Sequence, residues 1–394
     1  MSTKTVIIED ADNLTEVDIV GNSVLTEFSV SNAPALTVAG ITNFSNMVSI
    51  QTLELKGMAE TGSIDVSFAP NLKKIDTTGT PAASVKVAES VLANPTVVVT
   101  VDSGTAVTIP PLPPTTTAFT LPNSYITTYD FSTLPNLVSI TITNSDFATL
   151  NVSANAALAS VNAYGNKISS LTLPTTPNAA LLTLNVGNNL LTGALNTSGY
   201  SSLSELNCDL NTITGLVLPP SLQVLSCSGN PAIGGGTLNL TGVTNLQNII
   251  ATACNLTGIT VTANTALTAL NVNGNLLTGL NLSGNPNLDF LSCNDNIGIT
   301  TLNLASNPLL GSLRCAGCGL IGLNVAGNTA LTYLQCDGNN INQVAADAIA
   351  TALVANGYAG GGTLIIQGQR APIGNLTITG GPWTALAGLG WIIS

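Results

Sequence analysis

Apolar residues recur along this chain with a period that fits neither a long helix nor an isolated strand. In Leu267–Asn287, LTALNVNGNLLTGLNLSGNPN, they fall at Leu267, Leu270, Val272, Leu277, Leu280 and Leu282, with Asn275 and Asn285 behind them. The pattern L-x-x-L-x-[LVC]-x-x-N is thus written twice in 21 residues. It continues from Leu288, Ile299, Leu310, Leu320 and Leu331, every 10 or 11 residues. Towards the N-terminus, full turns start at Leu246, Leu222, Leu203, Leu181, Leu158 and Leu137, at spacings of 19 to 24 that place small insertions at corners.

Each L-x-L piece sends alternate side chains inward, the signature of a short strand. Two such strands per turn make a thin, two-sided coil. One coil cannot bury its apolar face alone, but a stack can. The reading is therefore mostly β: an elongated solenoid of ~21-residue coils, stacked at ~4.8 Å, with two short strands each. Little room is left for a helix on the outside. Every corner asparagine has an amide that can bond backbone groups left unpaired by the turn, in its own coil and the next. Stacked coils then form a ladder, with Asn230, Asn275, Asn296 and Asn339 as rungs.

The ends differ from the middle. An 11-residue rhythm runs through Leu14, Leu25, Leu36 and Met47, with Asn22 and Asn32 near corners, then fades between Gly57 and Ser84. Val-rich pieces (SVKV, TVVVT, AVTI) follow, and then PPLPPTTT from Pro110, which no central strand could hold and which reads as a bulge or linker. At the other end QVAADAIATALVANG, after Asn342, has helical spacing and an Asn-Gly stop. GTLIIQG and a Gly-Trp strand follow, making a small α/β cap over the last apolar cross-section, with Trp383 and Trp391 in its core. Three regions result: an irregular N-terminal β region, 1–122, with degenerate repeats; the solenoid, 123–345; and the cap, 346–394.

Composition narrows the chemistry. Hydrophobic residues are 45% of the chain and charged residues 7%, with no histidine, so the commonest general base and metal ligand is absent. A net charge of -12 with eight scattered bases excludes nucleic-acid binding, which needs Lys and Arg on phosphates. The start, MSTKTVIIEDADNLTEVDIV, lacks the apolar core of a secretory signal, and no apolar run approaches a membrane span. The expectation is a chain made in a host cytoplasm, not exported by that route and not inserted in a membrane.

SLRCAGCGLIGLNV contains Cys315-x-x-Cys318, the spacing of a redox dithiol or half a zinc site. The repeat explains it. Cys208, Cys227, Cys293, Cys315 and Cys336 occupy the sixth position of the pattern, where other turns carry Val272, Val325 or Leu304. There a cysteine is a small core hydrophobe. Cys254 and Cys318 occupy the ladder position, where a thiol partly replaces the amide. The CxxC arises where two repeat positions lie three apart. No second CxxC or histidine completes a zinc site, and no βαβ pattern frames a redox site.

With these motifs in view, the chain resembles the leucine-rich repeat family. LTALNVNGNLL and LGSLRCAGCGL meet its consensus L-x-x-L-x-L-x-x-N/C-x-L, in about ten consecutive turns from Leu137 to Asn340. The 21-residue period with L-x-x-L-x-C looks like the bacterial and phage-encoded subtype, though cellular members carry more charge and a secretion signal. The C-terminal helix, Gly-rich turn and Gly-Trp strand look like the closing module of phage fibre and virion surface proteins.

Catalysis would have to come from acids. Asp289 with Asp295, and Asp209 with Asp337, are the nearest approach to the carboxylate pair of a glycosidase, and each reads better as solvated surface charge. Glu9, Asp10, Asp12, Glu16 and Asp18 lack calcium-loop spacing and read as solubilising or docking groups. Gly234–Gly236 and Gly360–Gly362 do not continue as phosphate loops. No catalytic residue, cofactor or metal is expected. The resemblance implies a non-enzymatic bacteriophage virion protein: a head fibre, decoration protein or tail-fibre component. It would be docked to other virion proteins through its N-terminal region, turned towards a host glycan or protein, and compatible with a homo-oligomer. The alternative is a bacterial surface or secreted adhesin that binds protein or glycan.

Overall fold

The computed structural model describes all residues except 1–4, 20–22, 83, 89–97, 101–105, 110, 123–125, 176–179, 358–359 and 371–372. Asn22, Pro110 and the boundary expected at 122/123 fall on or beside those gaps and so lie outside the described residues. The chain divides into two compact units, 1–175 and 176–394.

The first unit is a parallel β-solenoid. Thr5–Glu9, Glu27–Ala33, Thr52–Met58, Lys74–Asp76 and Val98–Thr100 pair in that order, one strand per turn. Ser63–Val66, Ser84–Val87 and Ala106–Thr108 form a second parallel sheet. The rhythm that fades in the sequence after Gly57 therefore persists in the backbone. It fades because β-branched residues take most of leucine's places: Ile64, Val66, Ile75, Val85 and Val87 are buried here, with Leu72 the one buried leucine. Further along, Ala118–Thr120, Ser139–Thr141 and Ser160–Asn162 pair in parallel, with Thr149–Asn151 against Ser170–Thr172. Phe131 is the hub of an aromatic cluster in this core, with Phe119 at 5.0 Å, Tyr129 at 5.2 Å and Phe147 at 6.3 Å between ring centres.

In the second unit a long parallel sheet runs through Thr183–Asn185, Glu205–Asn207, Val224–Ser226, Asn248–Ile250, Ala269–Asn271, Phe290–Ser292, Ser312–Arg314, Tyr333–Gln335, Thr363–Ile365 and Ile392–Ile393. In the nine three-residue strands the middle residue points in: Leu184, Leu206, Leu225, Ile249, Leu270, Leu291, Leu313, Leu334 and Leu364 are all buried. The first and third residues form the outer face. The opposite side has strands only in part, Thr192–Asn196 with Thr212–Val217 and Thr237–Asn239 with Gly258–Thr260. Further on, Asn281, Asn303 and Asn324 accept from the N–H two residues ahead, each at 3.1 Å. Asn196 and Asn239 make the same side-chain turn at the ends of their strands, so the turn is a constant of this side whether or not the backbone pairs as a strand.

The closing segment begins at Asn342, whose side chain caps the helix Gln343–Asn356 by accepting from Ala345 N–H at 3.0 Å. Gly357, at φ 71°, ends it. Ala346, Ile349, Ala350 and Leu353 face inward. A second helix, Gly381–Gly388, packs on the first, and Trp383 Nε1 donates to Asp347 at 2.7 Å. Trp383 and Trp391 are both buried. No helix among the described residues is long and apolar enough to cross a membrane.

Candidate binding face

The corners set the spacing of everything the second unit displays. Asn230 donates to Cys208 O in the coil before and to Cys227 O in its own, both at 3.0 Å, and accepts from Ile213 N–H. Asn275, Asn296 and Asn339 repeat that double donation, to Ala251 and Val272, Val272 and Cys293, and Cys315 and Cys336. Asn211 belongs to the same ladder, and Gln369 closes it by donating to Cys336 O. All are buried. Each rung joins two coils through a polar group that would otherwise be buried unpaired.

The two thiol rungs follow a rule. Ordinary corners read Asn-x-Leu or Asn-x-Ile, and the N–H of the third residue donates to the next rung's Oδ1, as Ile213 does to Asn230 and Leu277 to Asn296. Two corners are one residue longer, Asn230-Pro-Ala-Ile233 and Asn296-Ile-Gly-Ile299. There the Ile N–H bonds back to its own asparagine's carbonyl, at 3.1 and 3.0 Å. The next rung then loses that donor and keeps only the backbone N–H of the asparagine before it, and it is a cysteine: Cys254 donates to Cys227 O and Cys318 to Cys293 O, both at 3.2 Å. In the CxxC, Cys318 reaches back one coil while Cys315 donates forward to Gln335 O at 3.4 Å. All seven cysteines are free and buried. Burial pushes the thiols of Cys208, Cys315 and Cys336 up, which keeps them as neutral core groups.

A second ladder, on the opposite corner, has a sequence signal three residues before each turn start. Asn264, Asn285, Asn307 and Asn328 each donate to two carbonyls of the coil before, and Asn356 at the end of the first helix continues the series onto Val325 O and Asn328 O. The recurring Asn-x-x-Leu, as in Asn264–Leu267 and Asn285–Leu288, would have disclosed it.

The acids do not assemble into a catalytic pair. Asp289 and Asp295 lie at opposite ends of the strand Phe290–Ser292. Asp209 and Asp337 are six strands apart on the sheet, roughly 29 Å at ~4.8 Å per strand. Asp209 is half-buried and accepts from Ser226 Oγ at 2.8 Å and Ser228 N–H at 2.6 Å. Burial raises its carboxyl against those two bonds. In the first unit Asp10 accepts from Asn32, and Asp18 from Thr42 and Asn43, so both carboxylates tie one coil to the next. Among the described residues no group of three acids or cysteines could hold a metal ion.

What remains is a surface. The second unit has eight charged residues, and six of them, Glu205, Asp209, Asp289, Asp295, Arg314 and Asp337, lie on or beside the long sheet's strands. Two aromatic rings, Phe290 and Tyr333, stand half-exposed on the same face. The rest of that face is Ser, Thr, Asn, Gln and aliphatic groups. The ion pairs of the first unit's sheet, Lys56 with Glu54 and Asp76, and Lys74 with Glu54, are by contrast internally matched.

No protein-family model matches the chain, and no curated protein does. Solved structures do match in fold. The functional domain of InlJ from Listeria monocytogenes, described as including a cysteine ladder, superposes with a TM-score of 0.59 at 21% identity, over 92% of this chain and 72% of that one. YopM from Yersinia enterocolitica does so with a TM-score of 0.50 at 19% identity, over 83% and 74%. In this chain the core thiols Cys293, Cys315 and Cys336 follow one another on consecutive coils. The shared architecture is the leucine-rich-repeat β-solenoid.

Proposed function

We propose that this protein is a non-enzymatic recognition scaffold that presents the outer face of the long sheet in its second unit to a partner on another surface. One observation carries this reading. In a unit of 219 residues with eight charges, six of those charges and two half-exposed rings gather along one sheet. A fold does not fix a function, but a rigid ladder-braced sheet positions such groups without loops. The N-terminal region would be the docking end. On its first described strand, Thr5–Glu9, Ile7 is 59% exposed.

The scaffold would act as an adhesin of a bacterial surface or of a virion. The bacterial origin of the two solved structures favours the first placement; the resemblance of the closing segment to phage fibre modules favours the second. Mass spectrometry on the source culture separates them. Stoichiometric recovery with capsid protein in DNA-containing banded particles would establish the virion placement. Recovery in the envelope or medium, and absence from particles, would establish the bacterial one. Sugar release by the purified chain, abolished by one acid-to-amide change, would overturn the non-enzymatic reading.

A further inference from the structure

Arg314 occupies an unusual place on the outer face. Its guanidinium carbon lies 5.7 Å from the centre of the Phe290 ring and 5.0 Å from that of Tyr333. The three residues come from three adjacent strands, in which Ser312 stands between Phe290 and Tyr333 in one register row. Serine is small, so a gap opens between the rings, and the arginine two positions on folds over both. Arg314 is exposed and the rings half-buried.

Lys56, Lys74, Lys86 and Lys167 each meet a carboxylate. Arg314 meets none among the described residues. Ring faces hold a cation in place but leave its N–H edges unspent. A guanidinium fixed in this way loses little further freedom when it grips a carboxylate with two parallel bonds. Tyrosine and arginine are also among the residues in which interface energy concentrates.

Acids bracket this cation along the strand direction. Counted by register, Asp289 lies three positions before Arg314, Asp337 two positions after and Asp295 three positions after. The order along the strand direction is therefore negative, positive, negative, with Arg370, bonded to Gly317 O, near the second pair of acids.

We propose that the Phe290–Arg314–Tyr333 cluster is the anchor of the recognition face. Its occupant is an extended protein segment carrying a carboxylate for Arg314, with Lys or Arg on both sides of it for the bracketing acids. The inference rests on reading the long sheet as the recognition face. A uniformly acidic segment would be repelled at both flanks, and an uncharged glycan would leave all four charges unmatched.

The test pans a display library of random twelve-residue peptides against the full chain. Selected peptides are then measured on the wild type, R314Q, Y333A, D289N/D295N and N207R, the last placing a blocking side chain elsewhere on the same sheet. Circular dichroism checks that each variant folds. The expected peptides carry Asp or Glu with Lys or Arg two to three positions to either side. R314Q weakens them about tenfold or more, and D289N/D295N removes the preference for a base on the Asp289 side and weakens it on the other, where Asp337 remains. Peptides blocked by N207R but indifferent to R314Q overturn the anchor and leave the recognition face standing. Peptides indifferent to both, or no enrichment over bare matrix, overturn both readings. Capture of neutral oligosaccharides on a glycan array, lost in Y333A and kept in R314Q, would make a glycan the occupant and overturn the proposal.

Discussion

A cysteine in place of an asparagine changes meaning with one residue in the coil before it. Leu256 N–H and Cys254 N–H both donate to Asn275 Oδ1 at 3.0 Å. Asn275→Cys would leave two buried donors with a poor acceptor and should cost about 1–3 kcal/mol. Cys254→Asn should not give that energy back. The matching N–H, that of Ile233, is already spent on Asn230 O, so the new carbonyl oxygen would keep only the Asn230 N–H that now faces the Cys254 sulfur and would lack the second donor that Asn275 has, at about 0.5–1.5 kcal/mol. Urea titrations of the two single variants check this; a neutral or stabilising Cys254→Asn would sink the corner rule. Asp209 sits where later coils carry Asn273 and Asn294, which accept the same kind of Ser and N–H bonds. Its carboxyl is raised by burial, so the protonated form is favoured by the fold. The wild type is therefore handicapped at neutral pH, and the handicap shrinks as pH falls through the raised value towards the unfolded one near ~4. Asp209→Asn should be at least as stable as wild type at pH 7, with a difference that narrows in acid. Equal melting differences at pH 7 and pH 4 would refute it. The thiol rungs were legible in the sequence because Cys254 and Cys318 keep the ninth place of the pattern. The reason for them was not, since it lies in a hydrogen bond made by the preceding corner.

Elements are legible here to the degree that leucine marks them. From Leu137 onward each turn start is a buried leucine, or an isoleucine at Ile299, and the coils read directly. In the first unit the same inward places are held by Ile75 and Val85, and Thr80 does the rung's work, donating to Leu55 O and accepting from Met58 N–H. No asparagine marks that corner, so the rhythm vanished from the sequence although the strands did not. The Phe290–Arg314–Tyr333 cluster was hidden for another reason. Its members lie about one coil apart, and only the register sets them side by side. The closing segment shows how tightly its elements are stacked. A Cβ at Gly362 would stand 2.7 Å from Thr332 O and 2.9 Å from two carbons of the Trp391 ring. Gly362→Ala must push the indole outward, at about 1–3 kcal/mol. The tryptophan emission should shift to the red, and the melting midpoint should fall. Unchanged emission and stability would mean that Trp391 has room to spare.

At the scale of the whole molecule, charge is distributed unevenly. Residues 1–175 hold 14 of the 20 acids and six of the eight bases, and residues 176–394 hold the remaining eight charges. The two units should therefore answer acid differently. In the first, Lys74 and Lys56 beside Glu54 hold its carboxyl below the usual range. At Asp65 and Asp76 burial pulls upward, but the bonds from Ser67 and Lys86, and from Thr78 and Lys56, outweigh it, and both carboxyls are lowered. Carboxyls lowered in the fold contribute stability above the unfolded values near ~4 and lose it as pH falls through the folded ones. These pairs are partly exposed, so each contribution is modest and weakens with salt. The three, two on one sheet and Asp65 on the other, still act in the same direction. In the second unit Asp209, the acid with a resolved shift, runs the other way. Acid should accordingly loosen the first unit before the second. Both tryptophans, Trp383 and Trp391, belong to the second unit, so their emission reports that unit alone while far-ultraviolet circular dichroism reports the whole chain. Titrated from pH 5 to pH 2 at low salt, the dichroism signal should fall at a higher pH than the emission changes. Glu54→Gln should weaken the first unit at pH 7 and flatten its acid dependence. Superimposable transitions for the two probes would show that the two units unfold together and that the charge segregation has no part in their stability.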